Sequence, residues 1–287
     1  MREVIESQYH ANGINLTVYE WPADGPKVFF AHATGFHARC WDGVIERLPG
    51  LHCYAIDMRG HGRSDKPEPP YVWRNFGIDV AEVGEQLGLK GALGVGHSKG
   101  GYATIMAAAI KPELFGRLLL IDPTVLPKAA YMRKYEEEPT VHFSAKRRNE
   151  WASVDEMYER FKGRPPYDTW DPAVLRHYCE YGLLPSPSGH GFVLACPPEI
   201  EAATYGAIGG EEIHEQLAGV TCPVRIIRAR QRVEGQPYDF RNSPTMPDLV
   251  THFVNGEDIL MPEFTHFMPM EEPEWVAGQV REMAALL

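Results

Sequence analysis

Long apolar runs are missing from this chain: no stretch of its 287 residues reaches the ~18 consecutive apolar side chains that a membrane-spanning helix requires. The first residues, Met1-Arg2-Glu3-Val4-Ile5-Glu6, hold no apolar segment of the secretory type, so no signal peptide is expected. Cysteine is scarce as well. Cys40, Cys53, Cys179, Cys196 and Cys222 are odd in number, scattered and without CxxC spacing. They argue against a disulfide framework or a zinc site and for reduced, mostly buried thiols in a cytoplasmic protein. Positive charge is in deficit, with 28 Lys and Arg against 39 Asp and Glu and a formal net charge of −11. A chain so acidic has no reason to seek nucleic-acid phosphates or anionic membrane surfaces. Like charges form no tail, and Glu136-Glu137-Glu138 reads as a solvated face. Internal repeats and low-complexity tracts are absent too.

What is present is enough apolar material, 44% of residues, to bury one sizeable core. Ile14–Tyr19 alternates like a half-exposed strand, whereas 28–31, 52–56, 92–95 and 117–121 are short continuous apolar runs. Such runs predict strands covered on both faces. Helices are predicted between them near 38–48, 75–88 and 98–110, the last ending at Lys111-Pro112. Alternating strand and helix implies a parallel, doubly wound sheet. From about Pro123 to Tyr205 the rhythm breaks. Helical stretches are predicted there near 129–138, 143–150, 153–161 and 171–182, with no buried strand. Strands resume at 223–228 and 258–261, and a helix over 272–286 closes the chain.

The decisive segment is Leu93-Gly94-Val95-Gly96-His97-Ser98-Lys99-Gly100-Gly101-Tyr102, a strand, then G-x-S-x-G, then a helix. Side chains at 96 and 100 would collide with the neighbouring strand or helix. The turn lifts the Ser98 hydroxyl to the start of a helix, where partial positive charge favours a developing anion. Serine needs a base and an oxyanion site to act as a nucleophile. The loop His32-Ala33-Thr34-Gly35-Phe36 follows the third strand and can aim a backbone N–H at the site. Thr34 is the expected donor, with the Lys99 N–H as the second and the Lys99 side chain solvated. His266, in the loop between the last strand and the last helix, falls at the carboxyl edge of the sheet with Ser98 and is the expected base. His32, Phe36, His97, Trp151 and Trp170 are assigned to the substrate pocket. The aromatics at helical spacing (Trp151, Tyr158, Phe161, Tyr167, Trp170, Tyr178) could cover the acyl or alcohol group, but read more readily as the core of the inserted segment. No metal or cofactor is implied.

Four segments in this order, HATGF at 32–36, DMRGHGRSD at 57–65, GHSKGG at 96–101 and THFMPMEEP at 265–273, resemble the α/β-hydrolase superfamily in its serine esterase-like branch. The resemblance implies an α/β fold with a mostly parallel eight-stranded sheet and a helical cap inserted after strand six. The core would be 1–123 and 207–287, and the cap 124–206. Family members usually carry the triad acid after strand seven, where this chain has Ala229-Arg230-Gln231-Arg232-Val233-Glu234-Gly235. An arginine would repel the imidazolium formed in catalysis and cannot substitute. Asp122, ending the sixth strand where some members place the acid, is favoured, and Glu234 is the alternative. Asp57 is expected to organise its own loop, and Asp258 to lie at the wrong edge. The implied reaction is hydrolysis of a small or medium-sized carboxylic ester through an acyl-enzyme, and a homodimer is allowed. C–C bond hydrolases, thioesterases, lactonases and hydroxynitrile lyases keep the serine. Haloalkane dehalogenases and epoxide hydrolases use an aspartate in its place. A non-catalytic receptor is the rival of a different class.

Overall fold

The computed structural model describes residues 2–134, 142–207, 213–233, 235 and 239–287. Along the chain come β1 (Ile5–Ala11), β2 (Ile14–Trp21), β3 (Lys27–Ala31), β4 (His52–Ile56), β5 (Ala92–His97) and β6 (Phe115–Ile121). Short strands β7 (Glu150–Trp151), β8 (Leu183–Pro185) and β9 (Phe192–Leu194) follow in the inserted segment, then β10 (Val224–Ala229) and β11 (Gly256–Met261). Eight strands form one sheet in the order β1-β2-β4-β3-β5-β6-β10-β11. The β1–β2 and β2–β4 pairings are antiparallel, and all the others are parallel.

Both faces of this sheet are covered, which is why its strands read as continuous apolar runs. Side chains alternate across each strand. Phe29, Leu118 and Leu120 therefore join one buried cluster with Phe76, Tyr102 and Met106 from the helices Trp73–Gln86 and Lys99–Ile110. Phe30, Leu119 and Ile121 join the opposite cluster with Trp41, Val276 and Val280, the last two from the helix Pro273–Ala284. Strand β1 lies outside the sequence-based expectation. Its residues are mostly polar and exposed, and its place is set by pairing along β2 through a two-residue turn, Asn12-Gly13, at φ 47° and 78°.

The inserted segment corrects the expectation of a purely helical cap. It contains a three-stranded antiparallel sheet, β7-β9-β8. The helix predicted near 143–150 is only a 3-10 turn, Phe143–Lys146, followed by β7. Strands of two and three residues are too short to show a period. Helices Val154–Phe161 and Pro172–Tyr181 fall where predicted, and Pro198–Gly206 is additional. Of the helix predicted near 129–138, Lys128–Lys134 is described. The Glu136–Glu138 cluster lies outside the described residues. Trp151, Trp170 and Tyr178 of the segment pack with Phe36 and Phe267, seating it on loops at the carboxyl edge of the sheet. All five thiols are free, and Cys222 alone is not fully buried. No helix among the described residues is long and apolar enough to cross a membrane.

Two-sided burial has a direct consequence for stability. Phe30→Ala, at a fully buried site in the sheet centre, should lose about 3–5 kcal/mol in chemical denaturation. Ile5→Ala on the exposed outer strand should lose less than about 1 kcal/mol, and equal losses would contradict this reading.

Candidate active site

Ser98 joins β5 to the helix Lys99–Ile110 with φ 56° and ψ −120°, a conformation that side-chain-bearing residues seldom adopt. Crowding around the turn explains the flanking glycines. A Cβ on Gly96 would lie 2.5 Å from the Gly100 carbonyl oxygen, and one on Gly100 would lie 2.1 Å from that of Ala31. The Ser98 N–H donates to the Ile121 carbonyl at 3.1 Å, tying the turn to the end of β6.

The next residue along β6 is Asp122, which also has a positive φ, 45°. Its N–H donates to the Ile227 carbonyl of β10 at 2.7 Å. Its Oδ1 accepts the Ala229 N–H at 3.1 Å and the hydroxyls of Ser243 and Thr245. Its Oδ2 lies 2.6 Å from His266 Nδ1, and His266 Nε2 lies 3.0 Å from Ser98 Oγ. A carboxylate can only accept, so Nδ1 carries the proton and Nε2 is left to accept from Ser98. Burial pushes the Asp122 carboxyl up, but the donors from His266, Ser243 and Ala229 outweigh it and hold the group below its ordinary value. The structure thus brings together Ser98, His266 and Asp122. The alternative acid, Glu234, lies outside the described residues.

Around this chain of bonds the placements differ from residue to residue. Thr34 and Phe36 line the cavity above Ser98 and His266, which has a volume of about 980 Å³. Lys99 is the first residue of its helix, where N–H groups have no partner along the axis. Its side chain corrects the expectation of a solvated lysine. The chain is wholly buried, with Nζ 3.2 Å from His61 Nε2 and 4.1 Å from the Phe76 ring centroid. His32, His97, Trp151 and Trp170 are not among the residues lining the cavity. His32 donates from Nδ1 to the Ala33 carbonyl and accepts the Met58 N–H, so both of its nitrogens are engaged in the wall. His97 donates from Nε2 to the His266 carbonyl at 2.7 Å, and burial holds its ring near pKa 3 and therefore neutral. It fixes the backbone of His266 rather than meeting a substrate. Trp151 packs edge-to-face with Phe161, and Trp170 with Phe36 and Tyr167, as the core of the inserted segment. Asp57 accepts the N–H groups of Ala38 and Arg63, and Asp258 pairs with Arg228.

Sequence reasoning missed three features. Thr124 Oγ1 lies 3.1 Å from Ser98 Oγ, with no motif to announce it. Ser243 and Thr245 come from a stretch with no strand or helix pattern. Arg147 and Glu201 form a partly buried ion pair in the cavity wall, and the Glu201 carboxylate packs against Gly35, where a Cβ would meet it at 2.9 Å. Gly35 also needs its φ of 79°. No group of three His, Cys, Asp or Glu among the described residues is arranged to hold a metal ion. Serine, imidazole and carboxylate in this order can transfer an acyl group.

The sequence matches the alpha/beta hydrolase family over residues 28–279. It is 37% identical to a bifunctional esterase/perhydrolase of Acinetobacter calcoaceticus over 92% of this chain and 94% of that one. A non-heme chloroperoxidase of Streptomyces lividans is 38% identical over 42% of this chain, a match spanning 45% of that protein. In structure the chain resembles E-2-(acetamidomethylene)succinate hydrolase, with TM-score 0.80 and 21% identity over 99% of this chain and all of the other. The chain belongs to the alpha/beta hydrolase family.

The buried lysine makes stability depend on pH. Burial lowers the Lys99 ammonium to about 7 in the folded chain, against about 10.4 when unfolded. Below pH 7 both states are protonated and the full cost of burying the charge is felt. Between those values the unfolded chain binds the extra proton, so stability rises with pH. Denaturation from pH 6 to 10 should therefore show the wild type gaining on Lys99→Met. A constant difference would rule out the shifted lysine.

Proposed function

We propose that this member of the alpha/beta hydrolase family is a serine hydrolase that cleaves a carboxylic ester of a small or medium-sized substrate through an acyl-enzyme. The observation that carries the reading is the unbroken chain from Ser98 through His266 to Asp122, open to one cavity. Ser98 attacks the ester carbonyl as His266 Nε2 takes its proton. The imidazolium is stabilised by Asp122, and the oxyanion is received by the Thr34 and Lys99 N–H groups. His266 returns the proton to the leaving alcohol. Water then attacks the acyl-serine with the same base assisting, which releases the acid and restores Ser98.

Thr124 acts as a positioning residue in this scheme. Its hydroxyl and its N–H both bond Ser98, the latter at 3.0 Å to the carbonyl. The esterase in the name of the Acinetobacter relative supports the same chemistry. A ligand-binding receptor would need no proton relay behind the serine, and the carboxylate at Asp122 is the reason for preferring the enzyme.

Fluorophosphonate labelling and turnover of p-nitrophenyl butyrate test the reading. The wild type should be labelled and active, and Ser98→Ala should lose both. Asp122→Asn should lower kcat by about four orders of magnitude, with Glu234→Gln close to wild type. A wild type that neither labels nor turns over ester contradicts the proposal. Thr124→Val should lower kcat by about tenfold with KM little changed, and Thr124→Ser should restore it. Equal losses in both variants would deny the hydroxyl its role.

A further inference from the structure

The cavity carries charged side chains that ester cleavage does not use. Five described charged side chains line it: Arg147, Glu201, Arg230, Asp239 and Arg241. Arg147 is paired with Glu201 and donates from Nη2 to the Tyr178 hydroxyl at 2.8 Å. Arg230 and Arg241 instead share one carboxylate. Arg241 holds Asp239 through Nε at 3.0 and 3.1 Å and through Nη2 at 2.9 Å. Arg230 reaches it only from Nη2 at 3.2 Å, while its Nε donates to Asn242 Oδ1 at 3.0 Å. Among the described lining residues three guanidinium groups thus face two carboxylates, with Asp168 and Glu271 also acting on Arg241 from beyond the lining.

This arginine pair is tied to the reacting groups. Arg230 follows β10 directly. Its N–H donates to the Phe264 carbonyl at 3.0 Å, and its carbonyl accepts the Ser243 N–H at 2.9 Å. The Arg241 carbonyl accepts the His266 N–H at 2.9 Å. The two arginines are therefore fixed by the same loops that orient Asp122 and His266. With the acid at the end of β6, the position after β10 is free for another task.

We propose that Arg230, supported by Arg241, receives a carboxylate carried by the substrate, so that the preferred ester also bears a free acid group. The inference rests on the ester-cleaving reading of the site. A guanidinium edge matches a planar carboxylate in shape and donor spacing. Binding it would also cancel the repulsion between Arg230 and the imidazolium formed on His266 in the transition state. Phe143 and Phe240, in edge-to-face contact at 5.1 Å in the cavity wall, provide apolar surface for the rest of the molecule.

The test compares p-nitrophenyl hydrogen glutarate with p-nitrophenyl valerate, the same acyl chain with and without the carboxylate. In the wild type kcat/KM should favour the glutarate by about tenfold or more, chiefly through KM. Arg230→Gln should bring the ratio near one, and Arg230→Lys should keep part of it. Both arginines are about a third exposed (36% and 38% of the side chain), so high salt should erode the preference as well. A wild-type ratio of one or less, or a ratio indifferent to Arg230→Gln, overturns the proposal while leaving ester cleavage intact. If neither ester is turned over, calorimetric titration with glutarate decides. Binding weakened by Arg230→Gln supports the carboxylate site, and no binding overturns it. Fluorophosphonate labelling judges the esterase reading separately.

Discussion

The hydrogen bond between Asp122 and His266 is the interaction on which the rest of the site depends. It sets the tautomer of the imidazole and hence the direction in which Ser98 can give its proton. A buried carboxylate without partners is costly, and this one is satisfied from three parts of the chain: the end of β10, the 243–245 loop and His266 itself. The positive φ of Asp122 turns its side chain out of the ladder towards those donors. Strain at 98 and at 122 thus sits on adjacent strand ends, joined by the Ser98 N–H bond to the Ile121 carbonyl.

Around that axis the inserted segment acts through packing. Phe36 touches Trp170, Tyr178 and Phe267, so the 32–36 loop, the segment and the His266 loop share one aromatic cluster. Glu201 closes over Gly35, and Arg147 keeps its charge neutralised while lining the cavity. The 32–36 loop is therefore held from the sheet below and from the segment above. Preorganisation of this kind is what electrostatic stabilisation of a transition state requires.

Much of this was legible in the residues. Alternating apolar runs and helices specify the parallel sheet because burial on both faces leaves no polar positions in the strands. The glycine spacing at 96 and 100 marks the turn at Ser98 because no other residue fits there. The acid was harder to find. Asp122-Pro123 looks like any strand end, and the Ser243 and Thr245 hydroxyls that fix it come from a loop with no period. Strand β1 escaped because its register comes from pairing with β2, although Asn12-Gly13 was a usable hairpin signal. Lys99 misled because lysine is a surface residue by habit, and only the fold reveals the His61 ring that receives it. The histidine and tryptophan pocket assignments failed for a common reason: nearness in sequence or helical spacing puts a ring in a wall without turning it to the cavity.

The central claim, that Asp122 holds His266 in the relay, can be read without any substrate. A proton shared between His266 Nδ1 and a buried carboxylate should give a far-downfield resonance in one-dimensional proton NMR. The account predicts this signal in the wild type, in Ser98→Ala and in Glu234→Gln, and its loss in Asp122→Asn. A signal that survives Asp122→Asn and vanishes in Glu234→Gln would contradict it.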